Sequence, residues 1–195
     1  MMKRLAVRLV DWQVKKRILK EDERELYEYA YELVVNQCVN VLLAVLIAIC
    51  LKAPLTVFLF LLSYIPLRSF CGGYHAETNE KCTIMSAFLI VCVCLAVKGT
   101  QKLMSPMAVM LCFMIAGAVI LSLAPVEDHN KPLDEKEEMH YRKSSRIIWL
   151  IEMIVGISML AFGKREAAVT IAFSHIVLGI MLCLGARKNK RLKPD

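Results

Sequence analysis

The sequence predicts an all-α polytopic membrane bundle of about six transmembrane helices, preceded by an amphipathic helix at the membrane surface. Three observations predict it. Hydrophobic residues make up 57% of the 195 residues, and the mean hydropathy is +0.52, against about 45–50% apolar in an average soluble domain. The charges are clustered, which leaves long uncharged runs at 33–51, 53–67, 83–97, 103–126, 147–163 (interrupted by Glu152) and 167–186. Basic residues concentrate in alternate inter-run segments. A soluble enzyme, a disordered regulator and a secreted disulfide scaffold are all disfavoured. One integral membrane domain, residues 1–195, is expected.

The first element is residues 1–32. Leu5, Leu9 and Trp12, and also Val7, Val10, Val14 and Ile18, recur at helical spacing between basic residues. This predicts an interfacial amphipathic helix on the inner leaflet, where anionic lipid is the expected partner. Lys15, Lys16 and Arg17 arrive before an apolar core forms, so no cleavable signal peptide is expected.

The six runs follow as spans. Runs 53–67 and 83–97 have only 15 residues each, roughly 22 Å of helix against a hydrocarbon core of ~30 Å. Either these helices draw in flanking residues, or the polar segment 68–82 between them dips into the membrane, which leaves a four-span alternative. Alternate segments carry 20 Lys/Arg against 5. The positive-inside rule then places both termini, segment 68–82 and loop 127–146 in the cytoplasm. The net charge of +7 serves topology and lipid binding. No basic pattern interleaved with aromatic residues suggests nucleic acid. The tail from 187 to 195 reads as an orientation anchor.

Six of the eight cysteines lie in apolar runs, where free Cys behaves as a small hydrophobe. Cys71 and Cys82 instead belong to segment 68–82, RSFCGGYHAETNEKC, together with His75. A thiol needs a base to become a good nucleophile, and His is the usual one. On one continuous helix these two residues would stand about 10.5 Å apart along the axis, so a His75–Cys82 dyad requires the chain to fold back. Gly72-Gly73 and Thr78-Asn79 permit such turns. Cys82 would open the next helix, whose N-terminus favours negative charge. Arg68 is a candidate for an oxyanion or carboxylate, or a snorkelling residue at the membrane edge. Gly73 and Tyr74 could lend backbone donors to an oxyanion. Two other readings stay open here: a solvated loop, or a metal site from Cys71, His75, Glu77 and Cys82, whose spacing is not a usual one for zinc.

Arg68, Gly72-Gly73, His75-Ala76 and Cys82 resemble the signature of accessory gene regulator B (AgrB) proteins, membrane cysteine endopeptidases of Gram-positive quorum sensing. Ala124-Pro125 and Asn130-Lys131-Pro132-Leu133, with the charged stretch to Arg146, are similar to that family's second cytoplasmic motif. The resemblance implies Cys82 as nucleophile and His75 as general base, with Arg68, Gly72 and Gly73 in support. It also implies an AgrD-like propeptide substrate, loss of that peptide's tail, closure of a thiolactone and a homodimer, with no cofactor and no metal. Position 71 departs from the pattern, since a small residue is expected there, and Cys71 becomes a competing thiol.

Asn130, Lys131, Pro132, Arg142 and Lys143 are candidate contacts for an acidic substrate tail, although loop 127–146 carries 6 acidic against 5 basic residues. Leu67 is expected to face lipid and help keep water from the reaction. Glu152, inside the fifth span, is a functional candidate by position. His175 reads as a packed, neutral histidine bonded to a neighbouring helix. The alternative function is a non-enzymatic small transporter or peptide-export partner.

Overall fold

A computed structural model describes residues 2–74, 76, 78–127 and 133–192. Among these the chain forms α1 (Met2–Lys15), α2 (Arg24–Cys50), α3 (Pro54–Cys71), α4 (Asn79–Thr100), α5 (Pro106–Leu123), α6 (Glu135–Ala161) and α7 (Arg165–Leu192). A single 3-10 turn, Glu21–Glu23, precedes α2. Helices α2 to α7 are long and apolar enough to cross a membrane.

The short runs are resolved by recruitment of flanking residues. α3 has 18 residues and α4 has 22, about 27 and 33 Å of helix, so both are long enough to span, as the six-span reading requires. Pro54 opens α3, where its missing N–H costs nothing. At the other end, 68–71, expected as loop, continues the helix. Residues 135–146, also expected as loop, form the first turns of α6. The reason is local: Asp134 accepts from the Glu137 backbone N–H (2.7 Å), and the Glu137 side chain reaches back to the Asp134 N–H. Glu138 and Arg142 pair one turn apart at 2.5 Å. α2 likewise begins at Arg24, inside the segment expected to be peripheral.

α1 ends at Lys15 and packs on α2. Ala6 and Val10 are buried, while Leu9 and Trp12 are exposed. Gln13 Nε2 donates to Tyr31 Oη at 2.7 Å, and Arg24 pairs with Asp11.

α7 is the hub. Of its apolar window 67% is buried within the protein, against 11% for α2 and α6, whose Val41, Leu42, Leu46, Ile151 and Ile154 face outward. α5 and α6 meet by seating aromatic rings over glycines, since helices in lipid gain from close approach. The Trp149 ring lies against Gly117, and the Phe113 ring against Gly156. Leu67, expected to face lipid, is instead core, packed with Cys71, Ile120, Trp149, Leu178 and Leu182.

A polar knot ties α3, α6 and α7 within the apolar region. Glu152 Oε2 accepts from Ser63 Oγ at 2.6 Å and lies 2.7 Å from His175 Nε2. Ser63 Oγ and Ser174 Oγ are 2.6 Å apart. His175 is fully buried, with Phe113 edge-on to its ring. The expectation that His175 bonds a neighbouring helix is met, and its partner is Glu152.

Three stability tests follow from these contacts. Gly156→Ala displaces the Phe113 ring and should cost about 1–3 kcal/mol, read as a lower unfolding midpoint in detergent. Gly99→Ala, with nothing within 4 Å of the new methyl, should gain roughly 0.5–1 kcal/mol. A double-mutant cycle of Glu152→Gln and His175→Phe should give a coupling of about 1–2 kcal/mol.

Candidate active site

The loop between α3 and α4 is built on glycine. Gly72 has φ +68° and Gly73 φ +115°, values that side chains resist. Space forbids a side chain as well: a Cβ at Gly72 would collide with the Val126 carbonyl, and one at Gly73 would stand 2.6 Å from Arg68 Nη1. On α7, Gly185 leaves room for this loop, since a Cβ there would be 2.5 Å from the Gly73 carbonyl carbon.

Four backbone bonds fix the loop. Val126 N–H donates to Cys71 O (2.8 Å), Gly73 N–H to Val126 O (3.2 Å), Tyr74 N–H to Met181 O (2.9 Å) and Gly72 N–H to Arg68 O (3.0 Å). The N–H groups of Gly72, Gly73 and Tyr74 are thereby spent. This corrects the expectation that Gly73 and Tyr74 lend donors to an oxyanion. Gly72 and Gly73 support the site by letting the chain turn and dock.

Arg68, in the last turn of α3, donates through Nη2 to the Tyr74 carbonyl. Its Nη1 is buried and has no partner among the described residues. Lys188 of α7 stands over the Tyr74 ring, 5.3 Å from its centre, and Asn189 Nδ2 donates to Glu127 O at 2.8 Å.

Cys82 occupies the first turn of α4. Thr78 is the N-cap: its hydroxyl accepts from the Lys81 N–H at 3.3 Å, and its carbonyl accepts from the Cys82 N–H at 3.0 Å. The helix expected to open at Cys82 therefore opens three residues earlier, at Asn79, because Thr78 caps it. The half-buried Cys82 lies on the wall of a cavity of about 260 Å³ between α2, α3, α4 and α7. Arg68, Tyr64, Tyr74 and Asn40 share that wall, and Phe60, Met85, Leu89 and Ile90 give it an apolar lining.

The candidates divide as follows. Cys82 and Arg68 share the cavity, with Gly72 and Gly73 behind them. Cys71 does not line it: it is fully buried in the core beside Trp149. Arg142 and Lys143 are exposed on α6 and do not line it either. His75, Glu77, Asn130, Lys131 and Pro132 lie outside the described residues. Residues 72–74, 76 and 78 are not helical, so no continuous helix runs from position 75 to Cys82. The sequence reading missed Tyr64, which nothing in its spacing marks, and took Tyr74 only for a backbone donor, whereas both line the cavity. It also missed Gln37 and Asn40, whose signal was present: two amides inside an apolar span.

A family model described as accessory gene regulator B, AgrB, matches residues 3–184. A Clostridium perfringens (strain SM101) protein carrying the name "Putative AgrB-like protein" is 23% identical over 182 residues, which cover 89% of this chain and 85% of that protein. "Putative AgrB-like protein 2" of C. perfringens strain 13 is 22% identical over 142 residues, 70% of this chain and 66% of that one. No solved structure is significantly similar. On a match that spans nearly its whole length, this chain belongs to the AgrB family.

Proposed function

We propose that this protein is a membrane cysteine endopeptidase that removes the C-terminal tail of an AgrD-like propeptide and closes the remainder into a thiolactone, the precursor of a quorum-sensing peptide. The observation that carries this reading is that Cys82 and Arg68 line one apolar cavity, and that one buried Arg68 nitrogen has no partner among the described residues. Membership of the AgrB family supports it.

In this mechanism His75, as general base, takes the Cys82 thiol proton, and Sγ attacks the scissile carbonyl carbon. Arg68 Nη1–H meets the developing oxyanion. The carbon–nitrogen bond breaks, the proton passes to the leaving nitrogen, and the tail departs with a new amino terminus. Cys82 is left holding the peptide as a thioester. Attack by the peptide's own cysteine thiolate exchanges one thioester for another at little free-energy change and frees Cys82. Water in its place gives a linear acid. Making a thioester from an amide is uphill, so removal of the released tail must pull the reaction. An apolar cavity at membrane depth favours the cysteine over water.

The charge asymmetry of 20 Lys/Arg against 5 supports cytoplasmic termini, with the site facing the same compartment. Anionic lipid under α1 and a second copy of the chain are the proposed partners besides the peptide. Asn130, Lys131, Pro132, Arg142 and Lys143 are the proposed contacts for the peptide's acidic tail.

Co-expression with a candidate propeptide, read by mass spectrometry, tests the chemistry. Cys82→Ala and His75→Ala should abolish tail release, Arg68→Gln should slow it about 10²-fold, and Cys71→Ala should largely retain it. No cleavage by the wild type would favour a transporter or export partner instead. Wetting the cavity with Leu89→Gln should raise linear product relative to thiolactone, and an unchanged ratio would count against water exclusion.

A further inference from the structure

The polar stripe of α2 plays no part in the chemistry just described. Glu32, Asn36 and Asn40 recur every four residues and so share one face of the helix. α2 and α4 start at the same end of the bundle and run side by side with a constant offset. Asn79 Nδ2 donates to Glu32 Oε1 at 3.0 Å, and Thr83 Oγ1 donates to Asn36 Oδ1 at 3.2 Å, both across 47 positions. Near the opposite ends Lys98 Nζ donates to the Leu51 carbonyl, again across 47.

The same offset sets Asn40 opposite Ala87, which has no polar side chain. Asn40 Oδ1 is accordingly buried with no partner among the described residues. It stands on the wall of the cavity that holds Cys82. The ladder thus closes its first two rungs and opens its third onto the cavity that Cys82 also lines. A buried carboxamide oxygen left unpaired weakens the fold, and a donor entering the cavity would satisfy it. A carboxamide offers a donor and an acceptor in one plane, which complements a peptide unit. A lipid chain offers neither. The neighbouring walls, Phe60, Met85, Leu89 and Ile90, suit apolar side chains.

We infer that Asn40 is a substrate-binding residue: its carboxamide oxygen accepts a hydrogen bond from one backbone N–H of an extended peptide lying in the cavity, and this fixes which carbonyl reaches Cys82. The inference rests on the endopeptidase reading for the reaction, but not for the binding.

The test uses full-length protein in phosphatidylglycerol-containing nanodiscs and a set of propeptides, each N-methylated at one backbone position near the cleavage point. With wild type, one position should stand out, raising KM about tenfold while kcat changes little. Asn40→Leu should raise KM by a similar factor for the unmodified peptide and become indifferent to that one methyl. Its unfolding midpoint should hold or rise. A fall in midpoint with equal losses on every peptide would make Asn40 structural and overturn the inference, as would a wild type with no sensitive position.

Fluorescence anisotropy of the labelled peptides on Cys82→Ala protein separates the two readings. Position-specific loss of binding that depends on Asn40, with no cleavage by any form, would sink the endopeptidase and keep this site. Normal cleavage with methyl effects independent of Asn40 would do the reverse. Displacement of the peptide by added phospholipid, equal in wild type and Asn40→Leu, would mark the cavity as a lipid site and overturn the inference.

Discussion

Hydrocarbon offers a backbone amide no partner, so irregular chain near the membrane must find its hydrogen bonds inside the protein. The turn between α3 and α4 meets this demand by leaning on α7 and on the chain around Val126. The bond from the Tyr74 N–H to the Met181 carbonyl, with the paired bonds between Cys71, Gly73 and Val126, holds that turn. From it follow the course of Arg68, whose guanidinium caps the Tyr74 carbonyl, and the entry of the chain into α4, whose first turn carries Cys82. The deep burial of α7 is therefore a condition of the site as much as of the fold.

The same demand explains how polar side chains are distributed. Ser63, Glu152, Ser174 and His175 satisfy one another at the meeting of α3, α6 and α7, and a carboxylate that would be intolerable alone becomes a tie between helices. Four buried side-chain atoms among the described residues have no partner: one each on Asn40, Arg68, Trp149 and His175. The last two sit in the packed interior around Phe113, Gly117 and Gly156. The first two share the Cys82 cavity. The cavity thus offers an acceptor on Asn40 and a donor on Arg68, which a void lined only by apolar groups would not.

Much of this was legible in the sequence. Six uncharged runs became six helices long enough to span, Gly72-Gly73 was rightly read as a turn, and the helix carrying Cys82 was placed a few residues too late. The errors share a cause. Charged residues were taken as loop, yet residues 135–146 are helical because a capping box at Asp134 and the Glu138–Arg142 pair satisfy them locally. Tertiary partners cannot be read from spacing. Nothing near Gly73 shows that Val126 takes its N–H, or that Leu67 turns inward onto α7. Glu152 and His175 were noted singly, and their meeting depends on the α6–α7 hairpin, 23 positions around the chain. Cys82 was favoured over Cys71 as the nucleophile, and the full burial of Cys71 in the core agrees with that preference.

The constant register between α2 and α4 has a mechanical consequence. A zipper fastened on both sides of a missing tooth leaves a buttonhole, not a jaw. Its width is set by the stitches around it, at Asn36 and Leu51, which tie the two rods together on either side of the gap.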